Sequence, residues 1–203
     1  MAKIDKDYNT IYLRKGQRAA ALLRLVPSIL LVGISGSISQ GLATKKSDID
    51  FFVVSRRGRI FSSRFWAKFL LTIIGWSRKN HDLNPAGKIC LNYFLSEDSL
   101  DFKPHNSKVV EFHQKSIILF SRGDIPKRLT LANAWLKPRF NLINHKIISG
   151  NSSRSNQTNW LEKWLKSYQI RRIERDPLTN KFPDKIIFND LELRFHPPRK
   201  ARS

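Results

Sequence analysis

Residues 31–54 read LVGISGSISQGLATKKSDIDFFVV, and this segment restricts the fold more than any other part of the chain. An apolar run over 29–33 is suited to a central strand, and a second strand over 49–54 starts at Asp48-Ile49-Asp50. Side chains alternate along a strand, so Asp48 and Asp50 share one face while Ile49 points into the core. Two carboxylates this close repel one another unless cations bridge them. Mg²⁺ is the natural oxygen-seeking candidate, with Mn²⁺ as its substitute. Gly36 permits a tight turn and a close approach of backbone to ligand. Ser37 adds a hydroxyl, and neighbouring N–H groups form a nest for a phosphate. Lys45 and Lys46 add screening of phosphate charge.

Around this segment the chain alternates helical and extended patterns. A helix is predicted over 14–25, ending at Val26-Pro27, and another over 62–76 behind a basic turn at 55–60. Residues 88–95 read as a third strand with an antiparallel return from Leu100. Residues 109–120 fit strand or helix. A helix over 126–143 is predicted to kink or end early at Pro138. Residues 144–159, rich in Ser and Asn, mark a linker. Over 159–174 the apolar stripe Trp160, Leu161, Trp164, Leu165 and Tyr168 predicts an amphipathic helix with its tryptophans in the core, as is also expected of Trp135. Short strand or turn pieces follow at 186–188 and 191–195.

The order of these features carries a resemblance. An apolar strand, Gly36-Ser37, ten intervening residues and the triplet Asp48-Ile49-Asp50 inside an apolar strand resemble the DNA polymerase beta-like nucleotidyltransferase superfamily, over roughly residues 22–95. The stretches LLRLVPSILLVGISGS, KICLNYFL, LANAWL (131–136) and LRFHP (193–197) are similar to a small bacterial branch of nucleotidyltransferase-domain proteins. The resemblance implies Mg²⁺-dependent transfer of a nucleoside monophosphate from a nucleoside triphosphate to a hydroxyl. Asp48 and Asp50 would then be the catalytic metal ligands, and Gly36, Ser37, Lys45, Lys46 and Asn92 the nucleotide-binding set.

One position departs from the pattern. Active members carry a third carboxylate, flanked by apolar residues, on a later strand. The best match, Leu91-Asn92-Tyr93, puts an uncharged amide there. Glu97 or Asp98 would serve only if that strand's alignment slips by several residues. A second reading is therefore a catalytically impaired relative that binds RNA, nucleotide or a protein partner. Cys90 reads as a small apolar filler.

Charge bears on the partner. Lys and Arg number 37 against 16 acidic residues, a formal net of +21, which attracts polyanions and favours RNA among acceptors. Arg56, Arg57 and Arg59 at the exit of the acidic strand are candidates for phosphate or RNA backbone. His81 and Asp82 are weaker candidates beside the presumed mouth, and no histidine spacing suits zinc. The longest apolar stretches, 29–34 and 69–75, are too short to span a membrane. The first eight residues do not resemble a leader, and the single cysteine fits a reducing compartment, so a cytoplasmic protein is expected.

The expected fold class is α/β of the α+β kind: a small mixed twisted sheet flanked by helices, with a C-terminal helical extension. A nucleotidyltransferase-like core over 9–125, the extension over 126–195 and a basic tail over 196–203 divide the chain.

Overall fold

The structure, a computed structural model, describes residues 7–78, 85–142 and 160–195. The expected linker over 144–159, the basic tail, His81, Asp82, His145 and His196 lie outside the described residues. Helix α1 (Tyr8–Leu23) leads to strands β1 (Ile29–Ser35) and β2 (Ile49–Ser55), helix α2 (Ile60–Ile73) and strand β3 (Ile89–Ser96). Then come α3 (Ser107–His113), β4 (Ile117–Ser121), α4 (Ile125–Ala132), β5 (Asn141–Leu142), α5 (Trp160–Glu174), α6 (Pro177–Lys181), β6 (Ile186–Phe188) and β7 (Glu192–Phe195).

The seven strands of the described residues join one mixed sheet in the order β5-β4-β1-β2-β3-β7-β6, the expected α+β class. Strands β1 and β2 are antiparallel, whereas β2 and β3 are parallel. A parallel pair needs a crossover, and α2 supplies it. Every residue of β1 and β2 is buried, because helices or loops cover both faces. Ile34, Phe51, Val53 and Phe94 pack with α1, α2 and α5 on one face. Leu31, Phe52, Val54 and Tyr93 pack with α4 and the buried Leu100 and Phe102 on the other. Gly33 makes room for Phe52: a Cβ there would lie 2.2 Å from the ring.

Several boundaries differ from the sequence expectation for identifiable reasons. Helix α1 begins at Tyr8 because the Asp7 carboxylate accepts from the N–H groups of Asn9 and Thr10 at 3.0 and 3.3 Å. The ambiguous 109–120 stretch divides into the end of α3 and β4. The helix predicted to reach 143 stops at Ala132, followed by a 3-10 turn over Ala134–Leu136. Buried Asn133 ends it. Its amide donates to the carbonyls of Leu129 and Leu100, and its oxygen accepts from Phe102 N–H. Leu100 and Phe102 form a buried loop in place of the expected strand return.

The largest correction concerns α5. The helix is present, but Trp160, Trp164 and Tyr168 are exposed, and the buried face is Glu162, Leu165, Gln169 and Ile173. Polar anchoring turns the helix. The Glu162 carboxylate accepts from Phe61 and Ser62 N–H at 2.8 and 3.0 Å, capping the first turn of α2 from another element. Gln169 donates to the Phe61 carbonyl and accepts from Arg64.

Candidate active site

The ends of β1, β2 and β3 meet at one edge of the buried sheet. Ser35 at the end of β1 pairs with Asp50 on β2, and Asp50 pairs in parallel register with Cys90 on β3. A turn closed between Thr44 and Ser47 delivers Asp48 to the start of β2, where Ile49 N–H donates to the Lys88 carbonyl. Asp48 and Asp50 are both buried, at 9% and 7% exposure, which makes their proximity an electrostatic problem that the surroundings must solve.

Two side chains address it. Arg78, from the segment between α2 and β3, forms an ion pair with Asp48 through Nη1 and Oδ2. Asn92 Nδ2 donates to Asp50 Oδ1 at 3.0 Å. Asn92 reaches that carboxylate through a bulge in β3. Phe51 pairs with Leu91 and Phe52 with Tyr93, so Asn92 is the extra residue between them. Tyr93 meanwhile stays in the core beside Phe102. Burial pushes the Tyr93 phenol well above its ordinary range, consistent with a packing role.

Cys90 also belongs to the corner. One ligand atom from each of Asp48, Asp50 and Cys90 lies within 4.8 Å of the others. Two carboxylates and a thiol suit a divalent ion that arrives with its phosphate oxygens. The carboxylate oxygens suit Mg²⁺ or Mn²⁺, and the softer sulfur is the weakest of the three donors for either ion. The residues present therefore fit the metal that the sequence implies.

Gly36 follows with φ +72°, its N–H donating to the Phe112 carbonyl at 3.0 Å. An added Cβ would lie 2.8 Å from the Phe112 ring and 3.0 Å from Asp50 Oδ2, so the turn runs directly beside the carboxylate. Ser37 opens the turn that its carbonyl helps close by accepting from Leu42 N–H at 2.8 Å. The hydroxyl itself makes no hydrogen bond among the described residues. Beneath the turn, the buried Ser35 hydroxyl contacts His113 Nδ1 at 3.0 Å and Ser116 Oγ at 2.8 Å. Gly36→Ala is expected to destabilise the fold by about 2 kcal/mol through left-handed strain and displacement of Phe112. Thermal melting measures the loss, and nucleotide titration of the folded variant should show weakened binding.

Gly36, Asp48, Asp50 and Asn92 thus converge, and Ser37 begins the adjoining turn. Lys45 and Lys46 are exposed on the loop that leads to Asp48. Other candidates fall elsewhere. Glu97 and Asp98 follow the far end of β3, where Arg57 pairs with Asp98 at 2.8 Å and Arg128 approaches Glu97 at 3.7 Å. Five residues of strand, about 16 Å, separate Asp50 from that end. They cannot supply a third carboxylate, and Arg56, Arg57 and Arg59 share this remote edge. The places of Arg78 and Cys90 beside the aspartates are not declared by the sequence pattern. Only the two-residue spacing of Cys90 and Asn92 hinted at a common face.

Comparison with known proteins gives the family. A family model described as a nucleotidyltransferase domain matches residues 18–148, which include every residue of the corner. No curated protein and no solved structure matches the chain.

Proposed function

The chain belongs to the nucleotidyltransferase domain family, and from that premise we propose that it transfers a nucleoside monophosphate from a nucleoside triphosphate to a hydroxyl acceptor. The observation that carries this reading is the buried Asp48/Asp50 pair against the positive-φ turn at Gly36. The turn at Gly36-Ser37 holds the triphosphate, with the Ser37 hydroxyl and adjacent N–H groups as donors. Lys45 and Lys46 offset phosphate charge from the loop. Asn92 fixes the rotamer of Asp50, and Arg78 holds Asp48. Asp48 and Asp50 would hold a divalent ion, which would supply charge neutralisation and Lewis acidity there. In the reaction the acceptor oxygen bonds to the α-phosphorus, the bridge to the β-phosphate breaks with release of pyrophosphate, and the hydroxyl proton passes to water. RNA is the acceptor favoured by a net charge of +21.

Nucleotide binding without transfer is the second reading. Asn92 in place of an acid and the Arg78–Asp48 pair favour it, because both relieve the carboxylate charge that a second metal ion requires. Incubation with each α-labelled nucleoside triphosphate, Mg²⁺ or Mn²⁺ and pooled small RNAs separates the two. Label should pass to an acceptor with wild type and not with Asp48→Ala/Asp50→Ala. Absence of metal-dependent transfer by wild type, with nucleotide still bound, would establish the second reading.

Asn92→Asp provides a graded test. A third carboxylate beside Asp50 should tighten Mn²⁺ binding about tenfold, roughly 1.4 kcal/mol, and raise the transfer rate. Without metal it should lower the melting temperature through repulsion. Unchanged metal affinity on titration would remove Asn92 from the site.

A further inference from the structure

Helix α5 carries an exposed surface that the transfer reading does not use. Trp164 is 57% exposed and Tyr168 47%, and their rings stack with centroids 5.9 Å apart and planes at 8°. They line a recess with Lys163, Arg171, Arg172 and Arg175, and no acidic residue contributes to it. None of those four cations makes an ion pair among the described residues. Aromatic side chains left in water beside unpaired cations mark a surface made for a partner.

We infer that the Trp164–Tyr168 face of α5 binds single-stranded nucleic acid, with bases stacked on the two rings and phosphodiesters paired with the flanking lysine and arginines. Charge complementarity selects a polyanion, and the stacked rings select one whose bases are free. A duplex keeps its bases stacked internally and offers phosphates alone. The platform is rigid, since Glu162 and Gln169 pin the opposite face of α5 to α2.

The positive charge extends from α5 toward the aspartate corner. Burial, together with the charge of Arg172, pulls the Arg64 guanidinium on α2 down to about 10. Burial also lowers the Lys68 ammonium, with Arg64 adding to the effect. Lys68 donates to the Arg78 carbonyl at 2.6 Å, and Arg78 in turn pairs with Asp48. Arg64 donates to Gln169 Oε1 at 2.7 Å and Arg78 is paired with Asp48, so the cations open to a phosphodiester are those on the α5 face itself. A strand held on α5 is also a candidate acceptor. Its service as acceptor rests on the transfer reading, whereas its binding does not.

Fluorescence anisotropy with a labelled oligouridylate of about 16 nucleotides and a duplex of equal length tests the inference. Wild type should prefer the single strand about tenfold. Trp164→Ala/Tyr168→Ala should weaken single-strand binding about tenfold or more and leave duplex binding unchanged. Arg171→Ala/Arg172→Ala should weaken both and flatten the salt dependence. These residues are exposed, so melting temperatures should hold. Metal-dependent nucleotide binding should also persist in the aromatic variant, which separates this test from failure of the transfer reading. Equal affinity for duplex and single strand, or wild-type affinity in the aromatic variant, would overturn the inference and leave a general anion-binding surface.

Discussion

Asp50→Asn is expected to reduce metal-dependent nucleotidyl transfer by about 10³-fold, since a bound ion contributes several kcal/mol to transition-state stabilisation. The substitution preserves shape. Asparagine fits between Gly36 and Asn92 and can still accept from Asn92 Nδ2 through its own oxygen. What disappears is one of two buried negative charges, and with it the attraction for a divalent ion. Removing that charge also relieves its repulsion with Asp48, so the metal-free variant should melt at or above the wild-type temperature. Loss of transfer with retained stability identifies a ligand. Loss of both would mean that Asp50 is structural. Initial rates of label transfer, paired with calorimetric nucleotide titration and a thermal melt, check the three terms together.

Glu162→Ala should produce the largest stability change of any single substitution considered. The carboxylate accepts two N–H groups at the start of α2 while 4% exposed. Bonds to a charged acceptor contribute about 1.5–3 kcal/mol each, so their combined loss is about 3 kcal/mol or more. For a chain of this size that is a fall of about 10 °C in melting temperature. Glu162→Gln retains one acceptor oxygen and should lose less. A change below about 0.5 kcal/mol would show that α5 is held by Leu165, Gln169 and Ile173 without Glu162. Detachment of α5 should also abolish single-strand preference, because the aromatic face is carried by that helix.

Asp50 and Glu162 differ in how locally their environments are encoded. The aspartate corner was legible because its parts are local: an apolar strand, a glycine turn and an acid–apolar–acid triplet declare their geometry through short-range alternation. The sheet class followed from the same runs. Cys90 and Asn92 were harder, since their shared approach to Asp50 depends on parallel register and on a bulge that period-two counting passes over. Arg78 reaches Asp48 only because the crossover through α2 returns it there. On α5, counting apolar residues buried the tryptophans. Glu162 reversed that orientation by satisfying N–H groups on another helix, a tertiary demand absent from the periodicity of α5 itself.

No helix among the described residues is long and apolar enough to cross a membrane. In the proposed function, metal and triphosphate meet at Asp48, Asp50 and the Gly36-Ser37 turn. Crystals grown with Mn²⁺ and a non-hydrolysable nucleoside triphosphate test it through the anomalous signal of manganese. The predicted result is a peak about 2.1 Å from both carboxylates, with the phosphates over Gly36-Ser37 and Arg78 drawn off Asp48. Nucleotide bound elsewhere, or a corner without manganese and with the Arg78–Asp48 pair intact at saturating ligand, would contradict it.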